Sequence, residues 1–188
     1  KVVSMTDADG AQLYKSGCPS GGTVDLLIEP YAHPSRLASF GTTPIARAIA
    51  AHAVLAGFRV AVSDTLDNPP DGAIHFGTED QTSFKPSDFI VIASQGQGDL
   101  AALKAALESP ASRVSMVASH RKAEVLTGKL IAQGMDEGRV RRLKSPAGLD
   151  LGGVDPHEIA LSVLAEIVRW RIAGATGTTE RDDHERLA

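Results

Sequence analysis

Along most of this chain, short continuous apolar segments alternate with stretches in which apolar residues recur at helical spacing. Residues 58–63, 88–93 and 113–118 are predicted strands, and the second is a continuous apolar run of the kind found in central parallel strands. Between them, apolar residues recur every three or four positions, as Ile45 and Ile49 do. This order predicts an α/β fold, a Rossmann-like doubly wound parallel sheet with a small β-rich N-terminal appendage.

Residues typical of helix ends support the predicted boundaries of the elements. Asp155, Pro156 and Glu158 provide an N-cap, a first-turn proline and a capping glutamate for the last helix. Residues 32–39 lead into or form the first strand, and residues 135–144 are interpreted as a solvated, positively charged face. The predicted helices are 44–56, 100–108 with Asp99 as N-cap, 123–133 with Val125, Leu126 and Leu130 facing inward, and 159–173 ending at Gly174.

The chain is expected to contain one main domain. Its 188 residues, of which 43% are hydrophobic, can bury one sizeable core. Residues 1–31 look like the end of an incomplete β-rich N-terminal domain, and residues 32–174 form the Rossmann-like domain. Residues 175–188 are rich in Thr, Asp and Glu and are predicted to be a disordered tail.

The turn at Gly41 is the first candidate site. A strand, a glycine turn, a helix and a second strand ending at Asp64 follow the order of a nucleotide-binding βαβ unit. Gly41, Thr43 and Ala46 occupy the three glycine positions of that fingerprint, and the hydroxyl of Thr43 offers a donor to an anion. Gly41, Thr42, Thr43 and Asp64 are therefore candidate cofactor-binding residues. The alternative is a Rossmann-like unit that binds nothing here.

Two further loops follow strands and therefore lie at the carboxyl edge of the predicted sheet. The loop after residue 93 contributes a second group of candidates. The Ser-His-Arg-Lys segment contributes the third group, in which cations at a helix start favour a bound anion, unless they are simply solvated. The candidate cofactor-binding residues of these two loops are Ser94, Gln95, Gly96, Gly98, Ser119, His120 and Arg121.

Cys18 is the only cysteine and lies in a glycine-rich loop. One interpretation is a small residue in a tight turn. The other is a thiol among backbone N–H groups, whose lowered pKa suits sulfur transfer or a redox role. A single cysteine cannot form an internal disulfide, so the expected location is the cytoplasm.

Composition excludes several classes of partner. The net charge of −4 and the pI of about 5.8 argue against nucleic acid. No apolar run approaches the roughly 18 residues that a membrane-spanning helix needs.

The C-terminal part of the chain contains three distinctive segments, 145–153 (SPAGLDLGG), 156–160 (PHEIA) and 164–167 (LAEI). In these segments the sequence resembles the XdhC/CoxI family, accessory proteins of molybdenum hydroxylases such as xanthine dehydrogenase and carbon monoxide dehydrogenase. The segments are similar to the family ending P-x-G-L-D-[IL]-G followed by P-E-E-I-A-x-S-[IV]-x-A-E-I. Segments 94–99 (SQGQGD), 119–121 (SHR) and 17–25 (GCPSGGTVD) resemble other family loops. Where the family usually has Gly-x-Gly-His, this chain has Gly41-Thr42-Thr43-Pro44.

The resemblance implies a maturation protein. It would bind the molybdenum cofactor, as molybdopterin or its dinucleotide form, and assist its sulfuration and its insertion into a xanthine dehydrogenase-type hydroxylase. The implied partners are that hydroxylase and a cysteine desulfurase, with a homo-oligomer as the assembly. Cys18 is then the candidate sulfur-handling thiol, and independent enzymatic turnover is not required.

An NAD(P)-binding oxidoreductase is the alternative function. It needs a proton donor beside the nicotinamide, yet Tyr14 and Tyr31 both precede the predicted domain and no Tyr-x-x-x-Lys pattern is present. A third possibility is a Rossmann domain used only for dimerisation, which is favoured if no small molecule binds.

Overall fold

The computed structural model describes residues 4–6, 12–14, 34–63, 65–77, 83–96, 98–111 and 113–176. The chain divides into two compact units, Lys1–Ala32 and His33–Ala188. In the first unit, strands β1 (Ser4–Thr6) and β2 (Gln12–Tyr14) pair antiparallel. Most of the predicted disordered tail, residues 177–188, lies outside the described residues.

The second unit contains a six-stranded sheet in which all neighbouring strands are parallel. From one edge the strand order is β5-β4-β3-β6-β7-β8, so the direction of winding reverses between β3 and β6. This is the doubly wound order of a Rossmann fold, and the predicted fold class is confirmed. The strands are β3 (Arg36–Phe40), β4 (Arg59–Ser63), β5 (Ala73–Phe76), β6 (Phe89–Ile92), β7 (Arg113–Met116) and β8 (Leu143–Lys144).

Helices cover both faces of the sheet. Those of the described residues are α1 (Pro44–Leu55), α2 (Asp99–Glu108), α3 (His120–Ala132), α4 (Glu137–Val140) and α5 (Pro156–Thr176). Successive residues of β3 point to opposite faces. Leu37 packs into a core shared with Ile49 of α1 and Ile167 of α5, whereas Ala38 packs on the other face with Leu103 of α2. Each face of the sheet is therefore closed by its own apolar layer.

Several predicted helix ends are confirmed. Pro44 is the first residue of α1, and the hydroxyl of Thr43 accepts a hydrogen bond from the N–H of Ala46 over 3.1 Å as an N-cap. At the start of α5, the carboxylate of Glu158 accepts hydrogen bonds from the N–H groups of Val154 at 3.0 Å and Asp155 at 3.2 Å. The helix start predicted from Asp155, Pro156 and Glu158 is therefore confirmed.

Other predicted ends were wrong. Gly98, in a left-handed conformation with φ of 73°, precedes α2, and Asp99 is the first helical residue rather than the N-cap. Helix α3 begins at His120 rather than at residue 123, and Val125 is 53% exposed instead of facing inward. Helix α5 passes through Gly174 to Thr176, so that glycine does not end it.

Two short elements lie in the segment interpreted as a solvated face. They are α4 and β8, and β8 adds a sixth strand beside β7 through the pairs Val114–Leu143 and Ser115–Lys144. Within the described residues, no helix combines the length and apolar character needed to cross a bilayer.

Candidate functional site

The loops that follow β3, β6, β7 and β8 share one edge of the sheet, because all four strands are parallel. Backbone hydrogen bonds join neighbouring loops in the order of the strands. The N–H of Ala93 donates to the carbonyl of Phe40 at 2.8 Å, and the N–H of Val117 donates to the carbonyl of Ile92 at 2.8 Å. The N–H of Ala147 donates to the carbonyl of Met116 at 2.9 Å. The edge that the sequence predicted for the candidate residues is therefore present, and the loop after β8 joins it.

The turn after β3 is closed against the end of β6. Gly41 has a φ of +123°, and a Cβ atom at this position would lie 2.4 Å from the carbonyl oxygen of Ala93. The hydroxyl of Thr43 donates to the same oxygen at 2.7 Å. Because a hydroxyl has one hydrogen, Thr43 cannot also donate to an anion as expected from the sequence. Thr42 is exposed beside this turn.

The loop after β6 is organised by the buried carboxylate of Asp99. One carboxylate oxygen accepts hydrogen bonds from the hydroxyl of Ser94 and from the N–H of Gly96, the latter at 3.0 Å. The other oxygen pairs with the ammonium of Lys122 in the first turn of α3. Burial raises the pKa of Asp99, but hydrogen bonds from Lys122, Ser94 and Gly96 and the charge of Lys122 outweigh it. The pKa therefore lies below its usual value of 3.8.

Gly96 and Gly98 both have positive φ, 102° and 73°, and open space where a side chain would be. They line a cleft of about 630 Å³, the β6–α2 cleft, together with Lys104, Lys122 and residues of α2 and α3. Gln95, with φ of 48°, shapes the same loop.

The N-terminus of α3 carries the third predicted group. Ser119 is the N-cap, and its hydroxyl accepts a hydrogen bond from the N–H of Lys122 at 3.3 Å. His120 and Arg121 occupy the exposed first turn. The first N–H groups of a helix have no partner within the helix, so this turn presents donors towards the sheet edge.

A larger cleft of about 970 Å³ lies between the loops after β7 and β8 and the start of α5. We call it the β7–β8 cleft; it is lined by residues 117–120 and 143–153 and by Glu158, Ile159 and Ser162. Of the residues predicted from sequence, Ser119 and His120 line it. The described candidate residues thus share one sheet edge, but Ser119 and His120 line the β7–β8 cleft, whereas Gly96 and Gly98 line the β6–α2 cleft. Gly41 and Thr43 form the closed turn.

Beneath this cleft lies an ion pair that the sequence analysis missed. The carboxylate of Glu166 is 2% exposed and pairs with the ammonium of Lys144 at 2.7 Å. Its other oxygen accepts the N–H of Gly148 at 2.9 Å, and Lys144 donates to the carbonyl of Gly148 at 2.6 Å. The sequence did carry a signal, since Glu166 lies among the apolar residues of α5 that face the core. A carboxylate at such a position needs a partner.

Gly148 fits this arrangement because it lacks a side chain. A Cβ atom there would lie 2.4 Å from the hydroxyl oxygen of Ser162, and its φ is +93°. Ser145 adds a further tie, as its hydroxyl lies 3.1 Å from the carbonyl oxygen of Ala118. The wall formed by residues 145–153 is therefore held in place at Ser145 and at Gly148.

Two predicted site residues, Cys18 and Asp64, lie outside the described residues. Their assignments as a sulfur-handling thiol and a cofactor-binding residue stay predictions. Within the described residues, no group of three or more His, Cys, Asp or Glu side chains is arranged to hold a metal ion.

Comparison with known proteins places these features in context. Residues 37–167 match the family model described as the XdhC Rossmann domain. The uncharacterized protein YqeB of Escherichia coli strain K12 is 32% identical, over 94% of this chain and 34% of YqeB. A crystal structure of a xanthine dehydrogenase from Bacillus halodurans has a TM-score of 0.59 and 23% identity, over 93% of this chain and 63% of that chain. This chain thus spans about a third of YqeB, and the solved structure shows a shared fold.

Proposed function

Because the chain belongs to the XdhC family, we propose that it acts as an accessory protein for a xanthine dehydrogenase-type molybdenum hydroxylase. In this role it binds the molybdenum cofactor and assists its sulfuration and its insertion into the hydroxylase. The observation that carries the proposal is the β7–β8 cleft. It lies at the sheet edge where Rossmann folds bind ligands, and family-like segments form two of its walls.

The groups around this cleft suit a phosphorylated pterin. The volume of the β7–β8 cleft, about 970 Å³, is at the upper end of the range typical of small-molecule sites. The hydroxyl of Ser119, the first N–H groups of α3 and the ammonium of Lys144 are donors that would hold a phosphate. The exposed carboxylate of Asp150 offers an acceptor for the amino-pyrimidinone edge of a pterin.

Glycine adds open backbone to the same wall. A Cβ atom at Gly152 would meet no atom of the described residues within 4 Å, so there is space beside this backbone for a ligand. When bound, the cofactor would supply the metal centre that the hydroxylase uses. This chain's own residues bind the pterin, orient it and keep water from the side that faces the protein.

The remaining parts of the proposal concern sulfur and partners. Cys18 is the proposed sulfur-handling thiol, with a cysteine desulfurase as the sulfur source, and the chain is proposed to work in the cytoplasm as a homo-oligomer. Mass spectrometry after incubation with a desulfurase and cysteine tests the thiol: a persulfide on Cys18 supports this role. An unmodified Cys18 under conditions that load a known sulfur acceptor contradicts it.

An NAD(P)-binding oxidoreductase is the second candidate function. The complete doubly wound strand order favours it, because dinucleotides bind across the point where the winding reverses. The contacts of Gly41 and Thr43 with Ala93 argue against it, since they close the turn at that point.

One experiment separates the two functions. Thermal shift and calorimetry on the purified chain compare the molybdenum cofactor, its dinucleotide form, NAD and NADP. The accessory function predicts that a molybdenum cofactor form binds and raises the melting temperature, because a ligand that binds only the native state stabilises it. Tight binding of NADP together with hydride exchange would contradict it.

A further inference from the structure

We infer that Lys144 contacts the phosphate of the bound ligand and that the buried carboxylate of Glu166 positions Lys144 for that contact. The inference rests on the proposed function, because it identifies which side chain of the β7–β8 cleft meets the anionic group. Neither residue was among those predicted from the sequence.

Glu166 is set in place by its own helix and by two partners. It belongs to α5, accepts a hydrogen bond from Gly148 in the cleft wall and pairs with Lys144 at the end of β8. Its side chain is only 2% exposed. A buried carboxylate with two directional partners has little freedom to move, so it fixes the position of the lysine ammonium.

Within the part of the chain that the structure describes, one N–H bond of the Lys144 ammonium has no partner. An ammonium group carries three N–H bonds. Two of them are directed to the carboxylate of Glu166 at 2.7 Å and the carbonyl of Gly148 at 2.6 Å. The side chain of Lys144 is 40% exposed and lines the β7–β8 cleft, so the remaining N–H is available on the open side.

The other charged groups of the cleft leave Lys144 as its fixed cation. Among the residues that the structure describes, the titratable ones that line it are His120, Lys144, Asp150 and Glu158. The carboxylate of Glu158 already accepts hydrogen bonds from the N–H groups of Val154 and Asp155. Because Glu166 neutralises part of the lysine charge, the contact with a phosphate is a short hydrogen bond rather than long-range attraction.

The competing explanation is that Lys144 merely neutralises Glu166. Removing the lysine alone cannot distinguish the two, because an unpaired buried carboxylate destabilises the fold. The double variant Lys144→Gln with Glu166→Gln removes both charges together and leaves an amide oxygen that can accept from Gly148. If the lysine is only a counter-ion, this variant binds ligand like the wild type.

The probe is the stable, fluorescent oxidised derivative of molybdopterin, used with its phosphate and after removal of the phosphate by phosphatase. Fluorescence anisotropy gives the affinity of the whole chain for each form. We expect the wild type to prefer the phosphorylated form by about tenfold, the size of one charge-assisted hydrogen bond. The double variant is expected to lose this preference while keeping its affinity for the form without phosphate.

A matched pair elsewhere in the protein provides the control. Arg36 and Asp88 form an ion pair at 3.3 Å, and their side chains are only 11% and 7% exposed. They lie at the amino ends of β3 and β6, on the edge of the sheet opposite the two clefts. The variant Arg36→Gln with Asp88→Asn is therefore expected to retain the phosphate preference.

The outcomes separate this inference from the proposed function. A wild type that binds both forms equally, or a double variant that keeps the preference, overturns the role of Lys144 and leaves the proposed function standing. A wild type that binds neither form contradicts the proposed function and the inference with it. Loss of the preference in the Lys144 and Glu166 variant alone supports the inference.

Discussion

The hydroxyl of Thr43 donates a hydrogen bond of 2.7 Å to the carbonyl oxygen of Ala93, and this contact joins the turn after β3 to the end of β6. These are the two strands between which the winding of the sheet reverses. In Rossmann folds the crevice at this point receives the dinucleotide. In this protein the side chain of Thr43 and the close packing of Gly41 against Ala93 occupy that crevice. The β7–β8 cleft lies further along the same edge of the sheet.

Replacing Thr43 with valine keeps its shape and removes both of its hydrogen bonds. The carbonyl of Ala93 and the N–H of Ala46 then lose a buried partner, and we expect the free energy of unfolding to fall by about 2 kcal/mol. Thr43→Ser is the control, since it keeps the hydroxyl. Guanidinium denaturation measures both variants, and a Thr43→Val protein as stable as the serine variant would contradict this role.

Gly41→Ala tests the close approach of the two strand ends. A Cβ atom there would lie 2.4 Å from a backbone oxygen, on a residue with φ of +123°. We expect a loss of about 3 kcal/mol or more, or failure to fold. Gly134→Ala is the matched control: its φ is +92° but no atom lies within 4 Å, so only backbone strain of about 1–2 kcal/mol is expected. Equal losses in thermal unfolding of the two variants would show that the contact is unimportant.

Asp99 makes the free energy of unfolding depend on pH in the acidic range. Its folded-state pKa lies below the usual value of 3.8, because hydrogen bonds and Lys122 outweigh the effect of burial. The unfolded chain therefore takes up the proton first as the pH falls. The stabilisation is complete above the unfolded pKa and is lost as the pH drops through the folded pKa. Between about pH 5 and pH 3, wild-type stability should fall more steeply than that of Asp99→Asn. Parallel curves for the two proteins would exclude this contribution.

Ser119 offers a charge test of ligand binding with the helix cap preserved. Aspartate and asparagine are both good N-caps, so Ser119→Asp and Ser119→Asn should fold like the wild type. The aspartate adds a negative charge beside the donors of α3. We expect Ser119→Asp to bind the molybdenum cofactor about tenfold more weakly and Ser119→Asn to bind it nearly normally. Calorimetry that finds equal affinities would place the phosphate elsewhere.

The sequence predicts those parts of the fold that rest on periodic patterns. The segment from β3 to β4 and the runs of β6 and β7 are long and apolar enough to be recognised. Strand β8 and helix α4 have too few residues to show a period, so they were missed. The N-cap of α2 was assigned to Asp99 because its carboxylate suits that role. In the fold that carboxylate turns back to the preceding loop and to Lys122.

The sequence predicts that the candidate residues lie along one edge of the sheet, but it does not predict the contacts that shape that edge. The edge follows from parallel strands alone, so the loops of Gly96 and His120 could be placed on it. The contacts that shape the β7–β8 cleft join residues far apart in the chain, as Lys144 and Glu166 are. Such pairs depend on the packing of α5 under the loop after β8, which no local pattern encodes.

Hydrogen exchange of the whole chain with saturating molybdenum cofactor tests the central claim most directly. Ligand in the β7–β8 cleft should slow amide exchange in residues 117–122 and 145–153, where the open N–H groups of α3 and the glycine wall lie. Saturating NADP serves as the comparison and should leave these amides unchanged. Protection that appears instead at residues 41–46 and 94–96, or no protection at all, would contradict the claim.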